Sequence, residues 1–369
     1  MKKKRDPAKL VAVLLGAAMG VSLGLCAGNN MGKLFEGNEL LGFLLLIPGL
    51  LAAVLVHAVL HEAGHLLFGL LTGYGFVSFS ILGIVLTRRD GKYRLGRFKL
   101  PGAVGQCLMS PPESGSTGDM PYLLYNLGGV IVNAVTSLLC LLLYFMSDGA
   151  AARLVWFFLF NVGAYLALTN GIPLRMGTID NDGRNALACS RDKTVVRDMW
   201  IQMSLAREQA EGRTLSQMPD EWFIMPETAS MGNGISAAIG VFCCNRLLEQ
   251  HRFEECYDEM RSLLSAKTDT VPLHRSLLIS DCIYCELVLD GRHEIVDRYL
   301  TEQQKKFMKS TKSLPGTLRT EYTVALLHEH DPAKAQTIRK QFDKVLRGYP
   351  YPADAEVDRR LMEYADSRA

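Results

Sequence analysis

The sequence predicts a mainly α-helical fold: a polytopic bundle of membrane helices with a small membrane-associated β-hairpin or sheet, followed by a domain of α-helical hairpins. Three observations support this prediction. Charge is unevenly placed, the first half has long uncharged runs, and the second half has amphipathic helical spacing. Of the 78 charged side chains in this 369-residue chain, 25 lie in residues 1–184 and 53 in residues 185–369. The net charge of +2 gives no reason to expect nucleic acid as a partner.

Four apolar stretches in the first half are each long enough for a helix to cross a lipid bilayer, which takes about 20 residues. They predict spans at residues 9–28, 40–72, 121–146 and 154–173. The basic residues before the first stretch are also typical of a secretory signal peptide. The first span is therefore either a signal anchor or a cleaved signal.

Basic residues predict the orientation of these spans, because cytoplasmic loops of membrane proteins are enriched in Lys and Arg. Five basic residues precede the first span and six lie between the second and third, whereas the other two loops hold only Lys33 and Arg153. The N-terminus, residues 74–120 and the C-terminal half are thus expected in the cytoplasm. The nine cysteines also support a cytoplasmic location, because their irregular spacing does not resemble a disulfide framework.

An HExxH motif, in which His61, Glu62 and His65 are the fixed residues, interrupts the second predicted span. On a helix, residues four apart share one face, so both imidazoles can bind one zinc ion. Glu62 lies beside them and can accept a proton from water. Ionisable residues within an apolar span are costly, which favours a functional role over a structural one.

A catalytic zinc needs a third protein ligand and an open position. Two carboxylates, Asp180 and Asp182, follow the fourth predicted span. The predicted topology brings that segment to the same cytoplasmic depth as the HExxH motif. Either carboxylate can be the third ligand on these grounds.

The combination of HExxH in a membrane span with Asn170, Pro173 and the later Asp182-Gly183 resembles the site-2 protease family of intramembrane zinc metalloproteases. The stretch from residue 61 to 86 also resembles that family's zinc helix leading into a membrane-associated strand. The resemblance covers about residues 40–190. It implies an intramembrane zinc endopeptidase with one Zn²⁺ per chain, in which Glu62 is the catalytic residue.

The resemblance also implies roles for individual residues. His61, His65 and Asp182 would be the metal ligands, with Asp182 chosen over Asp180 because Gly183 follows it. The spacing departs from the family pattern, since residues 176–181 resemble a small insertion.

Three further residues acquire roles through the same resemblance. Asn170 and Pro173 would shape the site or hold the substrate backbone. Residues 129–133 match the family's Gly-x-x-x-Asn element, so Asn133 is either a polar group near the zinc or a helix-packing asparagine.

Between the second and third spans, Asp90-Gly91 separates β-prone runs at residues 76–87 and 92–100, which predicts a hairpin. A strand edge there can hold an unwound substrate by backbone pairing. Residues 101–120, which are rich in Pro and Gly, are expected to form a flexible connector or gate.

From about residue 190, helix–turn–helix patterns recur at about 40-residue spacing, close to that of tetratricopeptide-like repeats. The predicted domains are therefore a membrane-embedded zinc metalloprotease domain over 1–190 and a cytoplasmic helical-repeat domain over 191–369. Such arrays bind peptides or proteins, so a protein partner is expected there. Cys282 and Cys285 form a CxxC that is interpreted as structural.

The predicted function is hydrolysis of peptide bonds in or near transmembrane segments of a membrane protein or signal peptide. The predicted setting is the lipid bilayer of a bacterial cell membrane, crossed several times by the chain. A non-catalytic membrane-anchored interaction protein, working through its helical array, is the alternative. A metal transporter is the weaker third interpretation. Glu62 argues against the non-catalytic interaction protein, because a degenerate site has no reason to retain this residue.

Overall fold

The computed structural model describes residues 7–34, 39–98, 104–113, 118–176 and 179–369. This part of the chain is mostly helical, with fourteen α-helices and six short strands. The helices are α1 (Pro7–Leu34), α2 (Glu39–Leu71), α3 (Tyr122–Met146), α4 (Ala150–Gly171), α5 (Asp182–Arg191), α6 (Lys193–Ala210), α7 (Gly234–Glu249), α8 (Phe253–Ser265), α9 (Pro272–Leu289), α10 (His293–Tyr299), α11 (Glu302–Ser310), α12 (Pro315–Thr323), α13 (Pro332–Leu346) and α14 (Pro352–Asp366). The strands are β1 (Gly75–Ile81), β2 (Ile84–Arg89), β3 (Lys92–Arg97), β4 (Gly105–Ser110), β5 (Arg175–Met176) and β6 (Ile179–Asp180).

Among the described residues, three helices are long and apolar enough to cross a membrane. They contain the segments Leu44–Leu71, Tyr122–Met146 and Ala150–Gly171, with mean hydropathies of 2.3, 2.1 and 1.6. No more than 28% of each apolar segment is buried against the rest of the protein, so large apolar surfaces remain exposed. The first predicted span falls within α1, whose described apolar stretch, Leu10–Cys26, is shorter than the other three.

The chain divides into two compact units. The first comprises Met1–Tyr74, Pro121–Met176 and Asp180–Ser190, and it contains α1–α5. Within it, α3 packs against both α2 and α4, and α1 packs against α4. Two of these helices approach very closely, since a Cβ added to Gly64 of α2 would collide with the carbonyl oxygen of Gly128 on α3.

The second unit comprises Gly75–Met120, Gly177–Ile179 and Arg191–Ala369. The four-stranded sheet thus groups with the C-terminal helices, and α6 packs against it. This division differs from the predicted single boundary at residue 190, because contacts over long sequence separations associate residues 75–120 with the C-terminal half.

The sheet is antiparallel, with strand order β3-β2-β1-β4. The Asp90-Gly91 turn lies where the sequence predicts it, and both residues have positive φ, as a two-residue hairpin turn requires. The predicted run 76–87 is not one strand, because Leu82 and Gly83 also have positive φ and form a second tight turn.

The range 101–120, predicted as a flexible connector or gate, contains regular structure. Residues 105–110 form β4, which pairs with β1. Residues 101–103 and 114–117 of that range lie outside the described residues. Pairing with β1 supplies hydrogen bonds that the local sequence does not reveal.

The outer side of β3 forms one edge of this sheet. Phe98 donates its N–H to Gly83 across the hairpin (2.9 Å), whereas Arg97 donates its N–H to the carbonyl of Gly348 (2.7 Å). Backbone groups of successive strand residues point to opposite sides. Those of Tyr93 and Leu95 therefore face the outer side together with those of Arg97.

The C-terminal helices have cores of their own. The largest described cluster joins α7, α8, α9 and α14. Cys282 and Cys285 are both fully buried in it, which agrees with their structural interpretation. The helix–turn–helix units lie where the sequence predicts them, whereas membership of a tetratricopeptide-like class stays a prediction.

Candidate metal centre

Three predicted ligands converge at one point of the first unit. Nε2 of His61 lies 3.0 Å from Oδ2 of Asp182, and Nε2 of His65 lies 3.5 Å from the same oxygen. The two imidazole Nε2 atoms are 3.2 Å apart. The cluster is largely enclosed, since the two histidine side chains are 12% and 11% exposed and that of Asp182 is 22% exposed.

These separations fit a single tetrahedral zinc ion. Zn–N and Zn–O distances of about 2.0–2.1 Å place tetrahedral ligands about 3.4 Å from one another. The three observed separations bracket that value. Moreover, Oδ2 of Asp182 is buried without a well-directed hydrogen bond despite its two imidazole neighbours, as expected of an oxygen placed for a cation rather than for a proton. Two imidazoles and a carboxylate are a zinc-binding donor set.

The charge on Asp182 is stabilised by these neighbours. Burial alone would raise the pKa of this carboxyl group, but its interactions with the nearby imidazoles of His61 and His65 lower it to about 2. Asp182 is therefore a carboxylate at neutral pH, which is the form that binds metals.

A second group of residues sets the orientation of the two imidazoles. Nδ1 of His65 lies 2.8 Å from the carbonyl of Tyr125 on α3. Since a carbonyl only accepts, this nitrogen carries the proton and Nε2 keeps its lone pair for the site. The Tyr125 ring stacks on Tyr74, with centroids 4.9 Å apart.

Asn133 links His61 to His57, one turn earlier on α2. Its amide lies 3.2 Å from Nδ1 of each ring, and Asn133 itself is fully buried. If the side-chain amide of Asn133 is turned so that its oxygen and nitrogen exchange places, both contacts remain, but the donor and acceptor in each contact are reversed. With the oxygen toward His61, Nδ1–H of His61 donates and its Nε2 is left as a metal ligand. Asn133 thus lies in direct contact with the cluster.

Close helix packing makes room for this arrangement. A Cβ added to Gly129 would lie 2.6 Å from Nδ1 of His61, so only glycine leaves space for that ring. A Cβ added to Gly183 would collide with the carbonyl of Gly171 at the end of α4. Gly183 therefore lets the start of α5, and Asp182 with it, lie against α4.

Asn181 is the residue that sequence reasoning missed. Its Nδ2 donates to the carbonyls of Thr169 (2.7 Å) and Ile172 (2.6 Å), and its Oδ1 accepts from the N–H groups of Leu174 (3.1 Å) and Arg184 (2.9 Å). It caps α5 and ties that helix to the end of α4. The signal was an asparagine directly before a helix start, which is a favoured N-cap.

Asp180 lies outside the cluster. Its carboxylate accepts from Nε (2.6 Å) and Nη2 (2.8 Å) of Arg175 and forms an ion pair with Arg184 (3.0 Å). The chain changes from strand to helix between the two aspartates, since β6 ends at Asp180 and α5 begins at Asp182.

No family model, curated protein or solved structure matches this chain.

The remaining predicted residues are Glu62, Asn170 and Pro173. Glu62 lies on α2 and interacts electrostatically with His65. Asn170 donates Nδ2 to the carbonyl of Leu166 in its own helix (2.9 Å). Pro173 is exposed just beyond α4.

Proposed function

We propose that this protein is an intramembrane zinc endopeptidase that cleaves membrane proteins or signal peptides in or near their transmembrane segments. The observation that carries this proposal is the convergence of His61, His65 and Asp182 at zinc-ligand separations, with Glu62 on the same helix. The HExxH spacing favours peptide hydrolysis over simple metal storage, because it adds a general base to the ligands.

In this proposal, His61, His65 and Asp182 hold one Zn²⁺. The ion, when bound, polarises the scissile carbonyl and lowers the pKa of water to about 7. Glu62 accepts the proton of the attacking water and then donates it to the leaving amine. Asn133 and the Tyr125 carbonyl keep both imidazoles oriented during these steps, because each is within hydrogen-bond reach of an Nδ1 atom.

The proposed setting is a lipid bilayer of a bacterial cell. The exposed apolar sides of α2, α3 and α4 support this, since water-soluble proteins rarely expose apolar surfaces of that size. The basic residues before α1 and in the β2–β3 hairpin support a cytoplasmic N-terminus and sheet. The C-terminal helices then form a cytoplasmic domain that binds a protein partner.

The outer side of β3 is the proposed site for the unwound substrate. A helical substrate must unwind locally before its peptide bond can be hydrolysed. Strand addition replaces the backbone hydrogen bonds that unwinding breaks. Tyr93 and Leu95 direct their backbone groups to this side. Their side chains are 64% and 77% exposed, so an apolar peptide gains side-chain contacts as well.

The decisive experiment combines zinc analysis with cleavage of co-expressed single-span membrane proteins. We expect about one zinc per chain in both the wild type and Glu62→Gln, because Glu62 is not a ligand. Cleavage should fall about 10²–10⁴-fold in Glu62→Gln, the range for loss of a general acid–base group. Glu39→Gln, at the start of the same helix, is the matched control and should cleave normally.

A wild type without stoichiometric zinc would contradict the proposal. Cleavage that persists in Glu62→Gln would contradict the catalytic role. Intact zinc with no cleavage of any membrane substrate, by contrast, would favour the interaction protein that works through its C-terminal helices.

A further inference from the structure

A cavity of about 130 Å³ lies within the second unit, between the β2–β3 hairpin and the segment that follows α13. It is separate from the His–His–Asp cluster, which belongs to the first unit. Thr87 and Arg89 of β2 and Arg94 of β3 line one wall. Arg347, directly after α13, contributes to the other.

The charge of this cavity has one sign. Three of its ten lining residues are arginines, and none of those ten is acidic. The negative charges nearby are the carboxylate of Asp90, 3.8 Å from Nε of Arg89, and about half a unit at the C-terminal end of α13, against three guanidinium groups. The cavity therefore favours an anion.

Two buried polar atoms on the β2 wall support the same conclusion. The hydroxyl of Thr87 and Nε of Arg89 are both buried, and neither has a hydrogen-bond partner in the described part of the chain. The nearest carboxylate oxygen to that Nε, on Asp90, is 3.8 Å away, beyond hydrogen-bond distance. Buried polar groups without partners are rare in native proteins, so these two atoms are suited to bind a water, an ion or a ligand.

The wall is held in place by close packing. A Cβ added to Gly212 would lie 2.5 Å from Nη2 of Arg89, so the glycine leaves room for the guanidinium. Gly212 has φ +90°, a conformation that favours glycine. On the other side, a Cβ on Gly96 would lie 3.0 Å from the carbonyl of Gly348. The hairpin and the segment after α13 thus approach at backbone distance around the cavity.

We propose that this cavity binds a small oxyanion, with a phosphate monoester as the best-matched chemistry. Guanidinium groups bind phosphate oxygens in bidentate fashion, and a threonine hydroxyl adds a donor. The volume is well below the roughly 300–1,000 Å³ of pockets for drug-sized ligands. It therefore accommodates the phosphate group of a ligand and not a whole nucleotide. The bound anion joins β2 and β3 to the end of α13.

The test is calorimetric titration of the full chain, purified in an uncharged maltoside detergent, with inorganic phosphate. We expect saturable binding of one phosphate per wild-type chain. Arg89→Gln and Arg347→Gln should each weaken it about tenfold or more, and the isosteric Thr87→Val about fivefold, following the usual strengths of charged and neutral hydrogen bonds. Arg88→Gln is the matched control, because Arg88 is exposed on the other face of the same strand. It should alter affinity less than about twofold.

Two results would overturn the proposal. One is the absence of saturable binding at millimolar phosphate. The other is an equal loss in Arg88→Gln and Arg89→Gln, which would show a diffuse charge effect and no site. Thr87→Val removes no charge and nearly preserves shape, so it keeps the test valid should an arginine variant fail to fold.

A second titration identifies the source of the phosphate group. The protein is placed in nanodiscs of phosphatidylcholine with or without phosphatidic acid, a lipid that carries a phosphate monoester. Weaker phosphate binding in the presence of phosphatidic acid would support the site and assign it to a lipid headgroup. Unchanged binding would support it and assign it to a soluble ligand. Both titrations measure binding alone, so they are independent of the proposed peptidase activity.

Discussion

Asp180 and Asp182 differ by two positions and have opposite surroundings. Asp180 is paired with Arg175 and Arg184, whereas Asp182 faces two imidazoles. An ion pair satisfies the charge of the first, and a cation shared with His61 and His65 would satisfy that of the second. The two carboxylates therefore supply a matched pair of variants, alike in sequence context and different in predicted role.

At the residue scale, Asp182→Asn should lose zinc and Asp180→Asn should retain it. Loss of supporting residues around a metal typically costs 10–100-fold in affinity, so loss of a ligand should cost about 100-fold or more. Competition with a chromogenic chelator measures this directly in detergent solution. Equal affinities of the two variants, or a loss in Asp180→Asn alone, would show that Asp182 is not the ligand.

At the scale of elements, β3 borders both proposed sites, the anion cavity and the substrate edge, and Leu95 belongs to both. One face of the hairpin carries Thr87 and Arg94 toward the C-terminal helices, while the outer edge directs Tyr93 and Leu95 away from β2. Gly348 already accepts the N–H of Arg97 at one end of that edge. A substrate strand that adds to β3 therefore meets the outer side at Tyr93 and Leu95.

Leu95→Pro should impair cleavage without loss of zinc. Proline removes the outward N–H and leaves the β2 pairing intact, because proline is tolerated on edge strands. Each lost backbone hydrogen bond weakens substrate binding by roughly 1 kcal/mol, about fivefold in kcat/KM. Leu95→Ala retains the N–H and is the control for the lost side chain. Equal kinetics for the two variants would remove β3 as the substrate edge.

At the scale of the whole molecule, the two units are stabilised by different interactions. The helices of the first expose apolar surface and suit a lipid solvent, whereas the second encloses charged networks within apolar cores. Arg319 is only 3% exposed, forms ion pairs with Asp281 and Asp358, and lies 4.8 Å above the Tyr284 ring. Removing this single charge would leave two carboxylates buried without a partner.

Arg319→Met should therefore lower the free energy of unfolding of the second unit by about 3–5 kcal/mol, the usual cost of breaking a buried ion pair. Urea unfolding of the full chain in detergent, followed by circular dichroism, measures this. Arg252→Met is the matched control, because its ion pair with Glu255 is exposed and should contribute little. Similar unfolding midpoints for the two variants would contradict the structural role of Arg319.

The sequence by itself determined the features that depend on local pattern. Uncharged runs located the three long apolar helices, the HExxH spacing brought His61 and His65 onto one face of α2, and Asp90-Gly91 located a hairpin turn. These follow from periodicity, burial and backbone sterics, which act over a few residues. Gly183, which follows Asp182, is the sequence signal that favours this carboxylate, and the structure brings Asp182 to His61 and His65.

Tertiary packing sets how distant segments of the chain meet. It brought Asp182 to the histidines, made Asn181 the link between α4 and α5, paired β4 with β1 and grouped the sheet with the C-terminal helices. Each depends on contacts between residues far apart in the chain, and no local pattern encodes which partner a backbone group or carboxylate will find. The physical reason is that hydrogen-bond and charge satisfaction of buried groups is a property of the packed molecule.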